Sequence, residues 1–234
     1  MKSKTEFGIS NSTLRESLIS TVYISLFIQI ITGVIDLYVA AFYHINNKGD
    51  EFLKKLLWLE IIVQFIEGTF YIWLARYSHT ISNITPNRYF DWMFSTPTML
   101  FTLISYLIYL KTPPNDLPTI YQLFQDNASN ILSILGLNAS MLIFGYLGEI
   151  NVISEVMAVF FGFIPFIIYF AMIYFNYAVH SENGQQLFWY FSSIWFLYGV
   201  AALSPYYIKN ISYNILDIFA KNFFGLFLAY VLVF

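Results

Sequence analysis

The sequence contains no cysteine and few charged residues. Only 11% of its 234 residues are charged, whereas soluble domains carry about 25%. Without cysteine there can be no disulfide, thiolate metal site or thiol nucleophile, and the redox compartment stays undefined. The net charge of −3 argues against nucleic-acid binding. A chain that is 58% hydrophobic and 21% aromatic is too apolar for a soluble domain of this length.

Long apolar runs make up most of the chain. A helix needs roughly 20 residues to cross the hydrocarbon of a membrane, and seven runs reach that length, at 17–44, 56–78, 88–110, 130–149, 153–177, 187–208 and 211–234. They predict an all-α bundle of seven transmembrane helices, formed by a single domain over residues 1–234 that is embedded in the lipid bilayer. The fourth and fifth runs meet almost without a loop, so we expect those helices to be antiparallel neighbours.

A lysine and an aspartate lie inside the last apolar run. Lys221 needs a compensating partner, because a charged side chain in hydrocarbon costs about 3 kcal/mol even on mild scales. Asp217 precedes it by four residues and therefore shares its helix face. The pair is either a structural ion pair between helices, or an amine that carries a carbonyl compound as a Schiff base with Asp217 in its counterion.

A second polar stripe lies in the third run. Arg88, Asp91 and Ser95 are spaced by three and four residues, so they share one face of an otherwise apolar helix. The segment from Arg88 reads RYFDWMFSTP. Together with Asp217 and Lys221, it resembles the third and seventh helices of the microbial (type 1) rhodopsins. The resemblance implies all-trans retinal bound to Lys221, a counterion of Asp91 and Asp217, and Arg88 on their extracellular side.

The same resemblance implies a retinal pocket. Its predicted residues are Tyr71, Trp92, Thr96, Met99, Asn138, Met141, Trp195 and Tyr198. Two positions depart from the family: Gly199 stands in place of a proline, and Ala202 in place of a second pocket tryptophan. We therefore expect either a looser pocket toward the retinal ring, or Leu203 or Phe196 in the place of that tryptophan.

A third polar stripe lies in the second run. Glu60, Gln64, Glu67 and Tyr71 recur at spacings of four, three and four, and such a stripe faces a partner helix or a water-filled path. Channelrhodopsins are similar, with acids at heptad spacing here and an asparagine after the retinal lysine, which is Asn222 in this chain. The resemblance implies that Glu67, Asn222 and a polar group of the first helix constrict an ion path. The alternative is that Glu67 is protonated and holds helices together.

The carboxylates that serve efficient proton pumps are missing. In the pumps of this family one acid lies eleven residues after the position of Asp91, and another lies eight residues before that of Asp217. These positions hold Thr102 and Lys209 in this sequence. Because a threonine cannot donate a proton at physiological pH, efficient pumping is disfavoured, although Asp91 is retained as an acceptor.

The sequence predicts a retinal photoreceptor that acts as a light-gated cation channel. The alternatives are a light-driven outward proton pump and a photosensor with a separate transducer. The small size and the richness in Ile, Phe, Asn, Tyr and Lys resemble the rhodopsins of large algal viruses. We expect no enzyme activity and no metal site, translocated cations or protons, and a homo-oligomer. The resemblance also implies an extracellular N-terminus and a cytoplasmic C-terminus, since counting Lys and Arg gives no bias.

Overall fold

A computed structural model of the protein describes residues 5–6, 9–78 and 80–234, and most of them are helical. A short antiparallel hairpin of β1 (Thr5–Glu6) and β2 (Ile9–Ser10), which the sequence did not predict, precedes the first helix. The α-helices are α1 (Asn11–Phe42), α2 (Lys48–Tyr77), α3 (Thr85–Lys111), α4 (Ile120–Asp126), α5 (Ala128–Glu149), α6 (Glu155–Asn176), α7 (Glu182–Ala202), α8 (Tyr206–Asp217) and α9 (Phe223–Val233). A π-helical turn, Ile218–Asn222, joins α8 to α9 without a break.

The long helices form the predicted seven-helix bundle. Within the described residues, six helical segments are long and apolar enough to cross a membrane: α1, α2, α3, α5, α6 and the continuous segment from α8 to α9. The seventh long helix is α7, which is less apolar because Glu182, Asn183, Gln185 and Gln186 occupy its first turns. Large apolar side chains such as Phe27, Phe65 and Ile167 are exposed on the outer surface, as expected for lipid-facing helices.

Polar caps set where several helices begin, which makes them longer than the apolar runs. The Ser10 hydroxyl accepts a hydrogen bond from the backbone N–H of Thr13, and Asn47 accepts one from Asp50, so α1 and α2 begin six and eight residues before the predicted runs. These side chains satisfy N–H groups that have no partner in the first turn of a helix. Hydropathy detects only the part of each helix that lies in hydrocarbon.

The predicted sixth span, 187–208, is wrong at both ends. Ser181 caps the helix through the N–H of Gly184, so α7 begins at Glu182, and it ends at Ala202. Pro205 then occupies the cap position of α8. A proline cannot donate a backbone hydrogen bond and disfavours helical geometry in the preceding residue, so it separates two helices here although the apolar run continues.

Helices α5 and α6 are antiparallel neighbours joined by a tight turn, as predicted. Asn151 in this turn has a φ of 59°, a left-handed conformation that asparagine tolerates better than most residues. Gly148 lets the helices approach, because a Cβ at this position would lie 2.5 Å from the Cβ of Ala158. The turn therefore fixes the relative position of two helices that line the site.

The π-helical turn Ile218–Asn222 holds the lysine that the sequence singled out. Its wider turn changes the local hydrogen-bond pattern, and Phe223 donates to the carbonyl of Ile218, five residues back. Side chains from other helices bind two carbonyls of this turn: Tyr190 donates to Phe219 at 2.8 Å and Gln64 donates to Lys221 at 3.4 Å. Such single π-turns are common at functional sites. This one contacts both α2 and α7.

Candidate functional site

The side-chain amine of Lys221 lies in the bundle interior among three carboxylates. Its Nζ is 2.6 Å from Asp91 Oδ2, 3.5 Å from Glu67 Oε1 and 3.5 Å from Asp217 Oδ1. Lys221 and the three acids are all buried. The one-turn spacing of Asp217 and Lys221 thus gives a contact, but the nearest carboxylate comes from α3. The site is buried and assembled from three separate segments of the chain.

Asp217 is held by donors from three helices. Tyr71 of α2 donates to its Oδ2 at 2.8 Å, Tyr198 of α7 donates to its Oδ1 at 2.7 Å, and Arg88 of α3 lies 3.4 Å from Oδ2. Hydrogen bonds to an ionised acceptor are stronger than those between neutral groups. Both oxygens of Asp217 are therefore held in place, whereas Asp91 Oδ1 has no hydrogen-bond partner in the part of the chain that the structure describes.

Two asparagines complete the surroundings of Arg88 and were missed from the sequence. Arg88 Nε donates to Asn210 Oδ1 at 3.0 Å, and its Nη2 donates both to the side chain of Asn214 and to the carbonyl of Asn210. A signal was present, because Asn210, Asn214, Asp217 and Lys221 follow each other at spacings of four, three and four. This is the pattern of one helix face, and the structure places all four on the inner side of the last span.

Lys221 is also one wall of an apolar cavity. Six of the predicted pocket residues line it: Trp92, Thr96, Met99, Met141, Trp195 and Tyr198. Two others lie behind the wall, since Tyr71 faces Asp217 and the Asn138 amide donates to the Thr96 hydroxyl at 2.8 Å. The cavity runs from the amine into a space between α3, α5, α6 and α7. Its chemistry suits a long apolar ligand with one reactive end.

The hydrogen bond between Asn138 and Thr96 joins α5 to α3 behind the cavity, and it leads to a testable prediction. A double-mutant cycle of Thr96→Val and Asn138→Leu should give a coupling free energy of about 0.6 to 1.7 kcal/mol, as measured for hydrogen bonds between membrane helices. Reversible unfolding of the four proteins in mixed micelles measures it. Purely additive free energies of unfolding would show that the bond contributes nothing.

The far end of the cavity differs from the expectation that Leu203 or Phe196 replaces the missing tryptophan. Both side chains point outward, with 51% and 49% of their surface exposed. Phe163 of α6 lines this end of the cavity and packs against Gly199, where a Cβ would lie only 2.5 Å from the tip of its ring. Phe196 packs against Phe163 from outside, with ring centroids 5.3 Å apart. An aromatic side chain from the neighbouring helix therefore closes this end.

Gly199→Ala should disturb the cavity wall. The added methyl group forces the Phe163 ring to move, and overpacking of this kind costs about 1 to 3 kcal/mol. We expect a lower thermal stability and a shifted absorption maximum of the protein reconstituted with retinal. Gly136→Ala is the matched control, since a Cβ there meets no atom within 4 Å. Equal thermal stabilities and absorption maxima of the two variants would show that the position of the Phe163 ring does not depend on Gly199.

The polar stripe of α2 faces inward along its whole length. Glu60, Gln64, Glu67 and Tyr71 are all buried, and Glu67 is the acid that reaches Lys221. Glu60 lies beside Thr102 of α3, whose hydroxyl donates to the carbonyl of Thr98. The Ser95 hydroxyl likewise donates to its own helix, at the carbonyl of Asp91, and Asn222 is buried beside Lys221 in the π-turn. The predicted gate residues are thus all in the interior, around α2.

A matching stripe on α1 was missed from the sequence. Ser25, Gln29, Thr32 and Asp36 are buried, at the same spacings of four, three and four that were noted in α2. Gln29 donates to the side chain of Gln64, and Ser25 donates to the carbonyl of Asn214 at 2.9 Å. The two stripes face each other and form a polar column that leads to the Lys221 site.

Comparison with known proteins identifies this arrangement. The sequence matches the family described as bacteriorhodopsin-like protein over residues 21–233. The chain belongs to this family. Microbial rhodopsins are integral multi-pass membrane proteins built around a retinal chromophore, and they act as photoreceptors, pumps or channels rather than as typical enzymes. A search of curated sequences found no match.

Solved structures give the same fold. The crystal structure of the viral rhodopsin OLPVRII superposes with a TM-score of 0.80 at 28% identity and covers 93% of this chain and 99% of that chain. Blue light-absorbing proteorhodopsin from Med12 gives 0.72 at 16% identity, with 92% and 96% covered. The light-driven proton pump of Coccomyxa subellipsoidea gives 0.67 at 18% identity, with 92% and 96% covered. At such identities the two latter proteins show the microbial rhodopsin fold alone.

The residues of this rhodopsin fit retinal. An aldehyde needs an amine, and Lys221 supplies one at the cavity wall; a polyene needs apolar walls, and Trp92 and Trp195 are among those present. Gly162 leaves room on the α6 side, where a Cβ would have its nearest neighbour, the Met141 carbonyl oxygen, 3.7 Å away. Three carboxylates within 3.5 Å of the amine can balance a cation formed there.

Proposed function

We propose that this rhodopsin binds all-trans retinal at Lys221 and acts as a light-gated cation channel. Retinal supplies a polyene that absorbs visible light and isomerises. In this proposal Asp91 and Asp217 are the counterion, and Arg88 orients Asp217. The cavity residues hold the polyene, and the polar column between α1 and α2 provides the path for cations.

One observation carries the proposal: the polar column leads directly to the Lys221 site. Glu67 belongs to the inward stripe of α2 and is also 3.5 Å from Lys221 Nζ. Gln64, one turn away, contacts Gln29 of α1 and the carbonyl of Lys221. A change at the lysine therefore acts on side chains of α1 and α2 without an intermediate element. Carboxylates along such a path favour cations over anions.

The path is closed in this structure. Before Glu60 on α2, the inward residues are Leu57, Leu56, Leu53 and Phe52, all of them buried and apolar. A constriction of this kind blocks ions because it excludes water, and it opens when it becomes hydrated. The predicted constriction of Glu67, Asn222 and a first-helix group lies deeper, and Gln29 is the group of α1 that the contacts favour. In the proposed mechanism, light moves the π-turn, the amides separate and water enters.

A light-driven outward proton pump is the second candidate. It is favoured by the distance of 2.6 Å between Lys221 Nζ and Asp91 Oδ2, which places an acceptor for the proton of the lysine nitrogen. Two observations argue against efficient pumping. Thr102 is not an acid, and Lys209 is paired with Glu149 at 2.9 Å and with Glu155 at 2.7 Å. The position of a proton-releasing carboxylate is thus held by a cation in an ion cluster.

Photocurrents measured while the voltage is swept separate the two functions. A channel passes current in either direction, so its current reverses at a potential that follows the cation gradient. A pump current stays outward at all voltages. A current that never reverses would reject the channel and leave the pump.

Orientation and assembly belong to the same proposal. We propose an extracellular N-terminus, a cytoplasmic C-terminus and a homo-oligomer. A protease site added to either terminus, cleaved in intact cells or in inverted vesicles, tests the orientation. The mass of the detergent-free protein in lipid nanodiscs gives the number of subunits.

A further inference from the structure

The π-helical turn Ile218–Asn222 takes from one backbone carbonyl its usual hydrogen-bond donor. In an α-helix the N–H of Phe223 would bind the carbonyl of Phe219, four residues back. In this chain the same N–H binds the carbonyl of Ile218 instead. The side chains of Phe219 and Phe223 are 48% and 45% exposed, so this side of the turn lies on the outer surface of the bundle. Hydrocarbon offers no water, and a backbone carbonyl there needs a donor from the protein.

Tyr190 of α7 supplies that donor. Its hydroxyl donates to the Phe219 carbonyl at 2.8 Å, and its ring packs against Phe223 with the ring centroids 4.8 Å apart. One side chain therefore contacts both the carbonyl that the wide turn leaves free and the residue whose N–H closes the turn. The proposed function gives this hydroxyl no role.

The turn is also bound from the inside of the bundle. Gln64 of α2 donates to the carbonyl of Lys221 at 3.4 Å, and both residues are buried. Two side chains thus hold carbonyls of one turn, Tyr190 from the outer surface and Gln64 from the interior. The stronger of the two bonds by distance is the one that Tyr190 makes.

The π-turn sets which side chains of the last span face inward. One extra residue in a turn rotates the rest of a helix by about 100°. Inward contacts lie on both sides of the turn: Asp217, before it, is bound by Tyr198, and Gly225, after it, packs against Asp36 of α1. A regular α-helix over the same residues would displace one of these two contacts. The direction of the Lys221 side chain, inside the turn, depends on the same geometry.

From this geometry we infer that Tyr190 is a positioning residue, which keeps the π-turn in place and thereby holds the Lys221 amine 2.6 Å from Asp91 Oδ2. The inference rests on the proposed retinal function and deepens it, because it names a residue that sets the distance between the retinal-binding amine and its counterion. Without the hydroxyl, the Phe219 carbonyl has lost the donor that the wide turn requires. The turn then relaxes toward α-helical geometry, and the amine moves away from Asp91.

Solid-state NMR of the apoprotein in lipid bilayers tests the contact without any chromophore. With 13C at the carbonyl of phenylalanine and 15N in alanine, a directly bonded signal arises only where alanine follows phenylalanine. The sequence has two such places, Phe170 followed by Ala171 and Phe219 followed by Ala220. Tyr190→Phe should shift the Phe219 signal and leave the Phe170 signal as an internal control. Ala171→Ser deletes the Phe170 signal and so assigns both. If Tyr190→Phe leaves both signals unchanged, the inference is overturned.

The absorption maximum of the retinal-loaded protein tests the positioning. A carboxylate beside the nitrogen end of a cationic polyene stabilises its ground state, and this attraction weakens as the carboxylate recedes. Tyr190→Phe should therefore absorb at longer wavelength than the wild type. 4-Aminophenylalanine at position 190 keeps a donor at the same end of the ring and should restore the maximum. Tyr230→Phe is the matched control, because it makes the same change on an exposed ring of α9 that packs against Phe234.

Each further outcome decides a separate point. A coloured Tyr190→Phe protein with an unchanged maximum would refute the positioning role and leave the retinal function intact. If Tyr190→Phe fails to fold, 4-methylphenylalanine at position 190 replaces it, since this residue fills the space of the hydroxyl without a donor and should also absorb at longer wavelength. A wild-type protein that stays colourless would instead refute the proposed function, and the shift of the Phe219 signal would still stand.

Discussion

Lys221→Ala should abolish the visible absorption band of the protein supplied with all-trans retinal. Among the described lysines, Lys221 is the one whose amine lines the apolar cavity, and this amine lies within 3.5 Å of Asp91, Asp217 and Glu67. Without it, none of the described residues that line the cavity offers retinal an amine. The measurement is an absorption spectrum after reconstitution, followed by reduction of the retinal linkage and mass spectrometry of the labelled peptide. A label on a different lysine would contradict the assignment.

A second variant keeps this test valid if Lys221→Ala fails to fold. Removing one partner of a buried ion pair costs about 3 to 5 kcal/mol, and Lys221 compensates several acids. Lys221→Arg retains the cation but forms no such linkage, since arginine stays protonated in proteins. It should be folded and colourless. Lys209→Ala, which removes the other buried lysine of the last span, should keep its colour. A coloured Lys221→Arg protein would show that retinal binds elsewhere. Lys221 would then have only the alternative role stated for it from the sequence, a structural ion pair with Asp217.

The fold and the centre of the site were predictable because each depends on a local pattern. Apolar runs of sufficient length define membrane helices whatever their partners. Asp91 and Lys221 were identified within two motifs, and the structure brings Lys221 Nζ to 2.6 Å from Asp91 Oδ2. The boundary at Pro205 was missed because the apolar run continues on both sides of this proline. The cap Asn47 was missed because it lies outside the apolar runs.

The rest depends on packing between distant segments, which a single sequence does not show. The packing of Phe163 of α6 against Gly199 of α7 is a contact between two helices. The π-turn has no repeat that distinguishes it from a normal helix. Asp36 is a single acid in the apolar run of α1, and its contact with Gly225 of α9 appears only in the structure. Asn210 and Asn214 were within reach, because their spacing to Asp217 and Lys221 marks one helix face.

Glu67→Gln should change ion selectivity or the size of the photocurrent. Glutamine has nearly the same shape as glutamate, so the variant removes a carboxyl group 3.5 Å from Lys221 Nζ and little else. If cations pass this point, we expect a threefold to tenfold change in relative permeability or conductance, which corresponds to about 0.7 to 1.4 kcal/mol. Reversal potentials in solutions with different cations measure the relative permeability. The current per pigment molecule measures the conductance.

The controls for Glu67→Gln separate a residue of the ion path from a structural contact. Glu51→Gln removes an exposed acid of the same helix and should leave the reversal potential unchanged. Glu67→Asp keeps the carboxyl group but withdraws it by one methylene, so its effect should lie between those of wild type and Glu67→Gln. If Glu67 is only a protonated link between helices, glutamine replaces its hydrogen bonding and the currents stay the same. Unchanged currents would show that Glu67 is not part of the ion path. A cation that passes a carboxyl group interacts with it electrostatically, so replacement of this group by an amide would change the current.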